Sequence, residues 1–169
     1  RGSFTEQIVR DMAAQAPRPI IMPLSNPTRK CEARPVDLLD WTDGRALIAT
    51  GSPFKPVVRD DIRYDIAQAN NALVFPGLGL GVAVCRASRF SDGMIAAAAG
   101  AVASMVDPRS PGEALLPSID QLRAVSATVA LAVARTAAEE GLATVELPNP
   151  VQQVFENMWT PAYPQIIVD

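Results

Sequence analysis

The chain has 169 residues, of which 49% are hydrophobic and 20% charged, and its 15 basic and 18 acidic side chains give a net charge of −3. This length fits roughly one domain with a core of ordinary size, and the composition is typical of a globular protein rather than a disordered one. The interspersed charges and an aromatic content of only 5% argue against a nucleic-acid surface, and no apolar run approaches the roughly 18 residues that span a bilayer.

Helix and strand patterns alternate over the first 54 residues. Apolar side chains recur at helical spacing ahead of Pro17; they are Ile8, Val9, Met12, Ala13 and Ala16. Two short apolar runs, 20–24 and 46–50, are typical of buried strands, and a short helix is expected between them at 35–41. This alternation predicts parallel α/β packing.

After residue 71, helical patterns replace the strands. Residues 75–87 are apolar and rich in glycine, and residues 92–106 and 119–140 carry apolar side chains on one helical face. Four prolines from residue 148 onward favour an extended tail. The sequence therefore predicts an α/β segment followed by a mainly helical C-terminal region.

The α/β part needs strands from elsewhere, because two strands cannot form an independent sheet in water. The chain begins at Arg1 without a start methionine, and we interpret it as cut from something longer; a vector remnant at Arg-Gly-Ser is the alternative. The helix faces at 95–105 and 119–136 are apolar and have no obvious partner sheet inside the chain, so they are expected to be exposed. An isolated chain of this kind is expected to associate.

Histidine is absent, and the two cysteines are widely separated. The missing histidine removes the most common general base and the most common zinc ligand. Cys31 and Cys85 form no CxxC pair, so we interpret them as reduced thiols of a cytoplasmic protein. Any site in this chain must therefore rest on other side chains.

Polar blocks accompany the apolar runs. Ser25-Asn26 follows the first predicted strand, Gly51-Ser52 follows the second, and a third block ends in Asn70-Asn71. Open α/β sheets bind ligands at the carboxyl ends of their strands. An asparagine amide donates and accepts hydrogen bonds without titrating, which suits holding a carboxylate or an amide rather than moving protons. Two simpler roles stay open: a turn at Asn26-Pro27 and a helix cap at Asn70-Asn71.

Three other features are weaker candidates for a site. The glycines at 77, 79 and 81 do not match the G-x-G-x-x-G dinucleotide fingerprint, and are expected to let a helix approach a neighbour closely. The aspartate pairs at 37/40 and 60/61 have no evident third oxygen ligand for a metal. Lys30 and Lys55 are interpreted as surface residues. No catalytic or metal-binding residue is therefore assigned in this chain.

Several blocks together resemble the malic enzyme family. The first is an apolar strand that ends in Ser-Asn-Pro-Thr, and the matching blocks are 19–28, 44–54, 68–81, 91–92 and 116–119. The resemblance covers roughly residues 3–143. The chain is similar to the C-terminal part of such an enzyme, covering the end of the NAD(P)-binding domain.

The resemblance implies an activity and a set of site residues. The family oxidatively decarboxylates malate to pyruvate and CO₂, using NAD or NADP and Mg²⁺ or Mn²⁺. By resemblance, Asn26 lies at the cofactor and the substrate, Ser25 contacts the cofactor, and Asn70 and Asn71 lie at the malate site. The family's tyrosine acid, lysine base, metal-binding carboxylates and glycine-rich dinucleotide turn would lie upstream of Arg1. The isolated chain is therefore expected to be inactive.

The resemblance also implies a fold and a set of domain boundaries. The fold would be an incomplete Rossmann-like parallel sheet segment, followed by a mainly helical C-terminal region. Residues 1–70 would be the C-terminal part of the NAD(P)-binding domain, and residues 71–145 a helical region that packs on the substrate domain. Residues 146–169 would be an extended C-terminal tail. The expected partners are malate or pyruvate and the remainder of the enzyme or a second protein chain, with a homo-oligomer as the assembly.

Three alternatives stay open at this point. The helices from residue 71 could form a non-catalytic assembly module, with the polar blocks as turns. A malolactic-type enzyme, which converts malate to lactate, shares the same blocks. A different two-domain dehydrogenase is the third alternative, and it fits the Asn70-Asn71 block less well.

Overall fold

The computed structural model describes residues 1–161 of the chain. The first half contains α1 (Glu6–Gln15), β1 (Ile20–Ile21), α2 (Pro35–Trp41), β2 (Leu47–Thr50), β3 (Val57–Arg59), β4 (Ile62–Tyr64) and β5 (Ala67–Gln68). The second half contains α3 (Phe75–Cys85), α4 (Asp92–Ala103), α5 (Leu122–Glu139) and α6 (Pro150–Asn157). Short 3₁₀ turns lie at Thr28–Lys30, Asn71–Leu73 and Ile119–Gln121. Over the described residues, no helix has the length and apolarity that crossing a membrane requires.

A three-stranded parallel sheet has the strand order β1-β2-β5. Ile20 pairs with Leu47 across β1 and β2, and Ala49 pairs with Ala67 across β2 and β5. The sheet shares one core with α1 and α2, built from Val9, Ile21, Ala33, Leu38, Leu39, Ala46 and Ile48. The predicted parallel α/β arrangement is confirmed. The third strand, β5, was not predicted, because its two residues are too few to show a strand pattern.

An antiparallel hairpin of β3 and β4 follows the second strand and was not predicted from the sequence. Asp60 and Asp61 occupy its turn with φ angles of 50° and 60°, the left-handed backbone that two-residue hairpin turns use and aspartate tolerates. Arg59 lies within 4.0 Å of carboxylate oxygens of Asp40, Asp43 and Asp60. These aspartates therefore serve a turn and ion pairs.

The helical region has a core of its own, in which α5 packs against both α3 and α4. This core includes Cys85, Met94, Ala98, Val102, Val125, Val129 and Val133. The helix faces at 95–105 and 119–136 pack on one another instead of on a sheet, so the expectation that these faces are exposed is wrong. Ile95 and Ala99 are exposed, Ile95 to 49%, because α4 turns Met94, Ala98 and Ala101 inward instead.

Two glycines allow the close approach of α3 to α5. A Cβ atom at Gly77 would lie 2.6 Å from the carbonyl oxygen of Ser126, and one at Gly81 would lie 2.7 Å from that of Ala130. A Cβ atom at Gly79 would meet no described atom within 4 Å. The predicted role of this glycine-rich segment is therefore confirmed at two of its three positions.

The extended conformation predicted for residues 146–169 is wrong over Pro150–Asn157, which forms α6. Asn149 caps this helix, because its Oδ1 accepts a hydrogen bond from the Gln152 N–H at 3.2 Å. Pro150 lies in the first turn, where a missing N–H costs nothing. The proline was thus a helix start rather than a break. The part of the prediction that falls on residues 162–169 lies outside the described residues.

One side of the α/β layer stays uncovered in the described chain. Five large apolar side chains on α1 and along β1 are between 37% and 56% exposed; they are Ile8, Met12, Ile20, Met22 and Leu24. Strand β1 is also an edge strand of the sheet. The apolar stripe predicted for α1 is therefore buried only through Val9 and Ala13.

Candidate functional site

The ends of the three parallel strands are joined by backbone hydrogen bonds. The N–H of Gly51 donates to the Pro23 carbonyl at 3.1 Å, which links the chain after β2 to the chain after β1. The N–H of Ala69 donates to the Thr50 carbonyl at 2.9 Å, which links the chain after β5 to the end of β2. The polar blocks predicted from the sequence therefore leave the sheet along one continuous edge, which we call the strand-end edge.

Ser52 connects two of these blocks through its side chain. Its hydroxyl donates a short hydrogen bond to Oδ1 of Asn26. Ser52 is only 7% exposed, whereas Asn26 is exposed. The backbone carbonyl of Ser52 accepts a hydrogen bond from the hydroxyl of Thr50 at 2.8 Å, and Thr50 is fully buried. A buried hydroxyl therefore holds an exposed amide at the strand-end edge.

Gly51 brings the blocks after β1 and β2 side by side. A Cβ atom at this position would overlap the carbonyl group of Leu24. From β5, the side-chain Nε2 of Gln68 donates to the Gly51 carbonyl at 3.3 Å. Gly51, which follows β2, is therefore hydrogen-bonded to the chain after β1 and to β5. The edge is therefore formed by close backbone packing as well as by side chains.

Ser25 is fixed by Glu32. The Ser25 hydroxyl donates to Oε1 of Glu32 at 2.6 Å, and the Ser25 backbone N–H donates to Oε2 at 3.2 Å. Desolvation by burial acts to raise the pKa of Glu32, but hydrogen bonds from Ser25 and the backbone outweigh it, so the pKa lies below its ordinary value of 4.5. The carboxylate is therefore ionised at neutral pH and clamps the loop that carries Asn26. Glu32 could not be predicted from the sequence, because it follows Ser25 by seven positions in an irregular loop.

Asn70 and Asn71 lie in different local environments. Oδ1 of Asn70 accepts a hydrogen bond from the Ala72 N–H at 2.9 Å, so Asn70 caps the 3₁₀ turn that follows. Asn71 is exposed, and its side chain has no hydrogen-bond partner within residues 1–161. Neither side chain is hydrogen-bonded to Asn26 in this part of the chain. The structure thus pairs Asn26 with Ser52, while the malate contacts expected of Asn70 and Asn71 stay predictions.

A cleft of about 750 Å³ shares Gln68 with the strand-end edge. Its other walls are the chain at 53–56, the hairpin and β5 residues 63–67, and the segment 105–121 that leads into α5. Asn26, Asn70 and Asn71 do not line it. The candidate site is therefore the edge that carries the asparagines rather than this cleft.

The cysteines are buried and free, in agreement with their interpretation as reduced thiols. Burial raises the pKa of the Cys31 thiol, and the thiol donates to the Ala33 carbonyl at 3.0 Å. Burial raises the pKa of Cys85 as well. Both side chains are therefore protonated at neutral pH and suited to packing rather than to nucleophilic chemistry.

Carboxylates near the edge are engaged in ion pairs or hydrogen bonds. Asp37 binds Arg34 at 2.6 Å, and Glu32 binds Ser25. Among residues 1–161, no group of three carboxylate or thiol side chains is arranged to hold a metal ion. The strand-end edge thus offers neutral hydrogen-bonding groups, which can bind and orient a polar ligand.

Comparison with known protein sequences gives consistent matches. A sequence model of the family described as "Malic enzyme, NAD binding domain" matches residues 1–138. The chain is 54% identical over 165 residues to NAD-dependent malic enzyme 3 of Bacillus subtilis, covering 98% of this chain and 29% of that protein. It is 48% identical over 167 residues to the NAD-dependent malic enzyme of Pseudomonas syringae, covering 96% and 29%. The chain thus spans less than a third of the length of these curated relatives.

Two solved structures share the fold. A malic enzyme from Pyrococcus horikoshii matches with a TM-score of 0.71 and 30% identity, covering 92% of this chain and 32% of that one. A malic enzyme from Entamoeba histolytica matches with a TM-score of 0.69 and 26% identity, covering 92% and 28%. These similarities confirm the α/β fold class with a small parallel sheet and helices.

Proposed function

The chain belongs to the malic enzyme family, and we propose that it is the C-terminal part of an NAD-dependent malic enzyme, which oxidises malate and releases CO₂ to give pyruvate. One observation carries this proposal. The amide of Asn26 is held by Ser52 at the carboxyl ends of parallel strands, the place where sheets of this class bind nicotinamide cofactors. NAD rather than NADP is proposed, because the similar proteins from Bacillus subtilis and Pseudomonas syringae are named NAD-dependent.

In this proposal the edge binds and orients. Asn26 contacts both the cofactor and malate, Ser25 contacts the cofactor, and Asn70 and Asn71 contact the malate carboxylates. Exposed asparagine amides support these roles, because their N–H groups can hydrogen-bond a carboxylate without adding a charge that titrates. When bound, NAD would accept the hydride that leaves C2 of malate. Holding the two reactants in the reactive geometry is a large part of what a protein contributes to such a step.

The described residues do not form a divalent metal site. The aspartates once considered as metal ligands lie in ion pairs with Arg34 and Arg59 or in the hairpin turn. We therefore assign no step of the reaction to a metal on this chain, and we place the Mg²⁺ or Mn²⁺ ligands of the proposed enzyme in its remaining part.

The uncovered apolar face supports a longer enzyme. The exposed side chains of α1 and β1, from Ile8 to Leu24, would be buried by further strands and helices of the cofactor domain. We propose residues 1–70 as the end of that domain and residues 71–145 as the helical region that packs on the substrate domain. The cytoplasmic location and the homo-oligomer stay predictions.

The helical assembly module considered from the sequence is not favoured. The family match includes α3, α4 and nearly all of α5, and these helices already bury their apolar faces against one another. A malolactic enzyme would use the same edge, but it would form lactate from malate without net reduction of NAD. The product therefore separates these two activities.

The proposal is tested with the full-length protein that contains this chain. Malate, NAD and Mn²⁺ are supplied, and NADH, pyruvate and lactate are measured together. We expect NADH and pyruvate to appear in equal amounts. Lactate without net NADH would replace the proposal with malolactic activity. If neither pyruvate nor lactate were formed, the proposed reaction of malate would be refuted.

A further inference from the structure

We infer that Ser52 is a positioning residue, which orients the Asn26 amide so that its N–H₂ group faces the ligand. The strand-end edge then offers donors to an acceptor oxygen, such as that of a carboxylate or a ketone, at this position. The identity of the ligand rests on the proposed function. The orientation of the amide rests on the structure of this chain alone.

The two ends of the asparagine amide form different hydrogen bonds. One end, Oδ1, only accepts hydrogen bonds, and the other end, Nδ2, only donates them. The Ser52 hydroxyl donates to Oδ1, so this end faces the protein. Within residues 1–161, Nδ2 has no hydrogen-bond partner, and Asn26 is exposed. Two N–H donors are therefore available at the edge.

The reversed amide would leave a polar group unsatisfied. Nδ2 would then donate to the Ser52 oxygen, and the hydrogen of the Ser52 hydroxyl would need a different acceptor. The hydroxyl of Ser52 has no other acceptor among the described residues, and the residue is 7% exposed. Buried hydroxyl groups are almost always hydrogen-bonded, so the observed orientation is the favoured one.

Ser52 is itself held in place by the buried residue Thr50. The hydroxyl of Thr50 donates to the Ser52 backbone carbonyl at 2.8 Å and approaches the Ala67 carbonyl at 3.4 Å. Thr50 is fully buried at the end of β2. The hydrogen bonds therefore run from the sheet interior through Ser52 to Asn26. The sheet thus positions the residue whose hydroxyl holds the exposed Asn26 amide.

The orientation has a consequence for the class of ligand. A donor at this position stabilises a carboxylate or a carbonyl oxygen, and it stabilises the carbonyl more as negative charge develops on it. A ligand that offers only a donor there would be disfavoured, because it would meet the N–H₂ end of the amide while Oδ1 is turned toward Ser52. This inference deepens the proposed function by assigning the polarity of one contact.

The test is a double-mutant cycle in the full-length protein, using Ser52→Ala, Asn26→Ala and the double variant. Removing one hydrogen bond to a neutral group is expected to lower kcat/KM for malate by roughly fivefold to tenfold. In the Asn26→Ala background, the same change at Ser52 should have no effect, because Ser52 acts through Asn26. An equal loss in both backgrounds would overturn the inference. Ser104→Ala is the matched control, since within residues 1–161 its hydroxyl donates only to the Ala101 carbonyl in α4.

A readout that needs no malate activity separates this inference from the proposed function. High-resolution crystal structures of the wild type and of Ser52→Ala are compared at Asn26. We expect the wild-type amide to keep Oδ1 on Ser52, and the variant amide to rotate or to occupy two orientations. The same single amide orientation in both structures would overturn the inference, even if malate is oxidised. An enzyme without malate activity that shows the expected rotation would refute the proposed function alone.

Discussion

Gly51 lies directly against the carbonyl group of Leu24, and a Cβ atom at Gly51 would lie 3.0 Å from the Leu24 Cα and overlap its carbonyl oxygen. This contact joins the chain segments that leave β1 and β2. Because both polar blocks of the candidate site start from these segments, the spacing between the blocks depends on a residue without a side chain.

The first prediction concerns Gly51→Ala. The added methyl group must push the two segments apart, because the atoms it meets belong to the backbone and cannot rotate away. We expect a loss of about 2 kcal/mol or more in the free energy of unfolding, together with a loss of malate oxidation. Urea unfolding and steady-state kinetics of the full-length protein measure both effects.

Gly100→Ala is the control for this experiment. A Cβ atom at Gly100 in α4 would meet no described atom within 4 Å, so the change should be neutral or slightly stabilising. Equal stability and activity of Gly51→Ala and Gly100→Ala would contradict the close approach at the strand-end edge.

The second prediction compares two glycines of α3. Gly81→Ala places a methyl group 2.7 Å from the Ala130 carbonyl oxygen and 2.8 Å from the Val133 Cβ, so α3 must move away from α5. We expect a destabilisation of about 1–3 kcal/mol. Gly79→Ala meets open space and should stabilise the helix by about 0.5–1 kcal/mol. Chemical unfolding of both variants checks the signs, and the same sign for both would refute this packing.

The third prediction separates Asn70 from Asn71. Asn70→Ala removes the cap of a 3₁₀ turn and should cost about 0.5–2 kcal/mol of stability. Asn71→Ala removes an exposed side chain without a partner in residues 1–161, so the melting temperature should stay unchanged. If Asn71 contacts malate, its loss should lower kcat/KM by roughly tenfold or more. Thermal melts and kinetics are measured side by side, and a lower Tm with unchanged kinetics for Asn71→Ala would make it a structural residue.

The fourth prediction concerns pH and Glu32. Its pKa is lowered in the folded protein, so its ionisation stabilises the fold fully above the ordinary value of 4.5, and this contribution disappears as the pH falls through the lowered pKa. Glu32→Gln should therefore be less stable than the wild type at neutral pH, and the difference should shrink below pH 4.5. Unfolding free energies across this range provide the measurement.

The control for Glu32 is Glu139→Gln, which alters an exposed carboxylate with no hydrogen bond in residues 1–161. Its stability difference from the wild type should stay small at every pH. A difference for Glu32→Gln that does not change with pH would show that Ser25 is not clamped by the ionised carboxylate.

The sequence predicted the features that depend on local periodicity or local chemistry. The helix at 35–41, the strands near 20–24 and 46–50, and the polar blocks at their ends all agree with the structure. The predictions failed where a local signal fits two structures. The tail helix was missed because Pro150 serves as a helix start, and the hairpin was missed because Asp60-Asp61 is not the common glycine-containing turn.

The sequence predicted which blocks of residues form the candidate site, but not the hydrogen bonds that join them. Asn26 and Ser52 both belong to blocks that the sequence singled out, yet their hydrogen bond joins residues 26 positions apart. Glu32 had no local pattern at all, because its role comes from the fold of an irregular loop. Contacts of this kind require the sheet to be assembled before they can be read.

We propose that the Asn26 amide contacts the reactants of malate oxidation, and substitution of Asn26 decides whether it does. In the full-length protein, kcat/KM for malate with NAD is measured for the wild type, Asn26→Ala and Asn26→Ser. We expect a loss of roughly tenfold or more for Asn26→Ala and a smaller loss for Asn26→Ser, which keeps one polar group. Wild-type rates in both variants would contradict it and would leave Asn26-Pro27 as a turn alone.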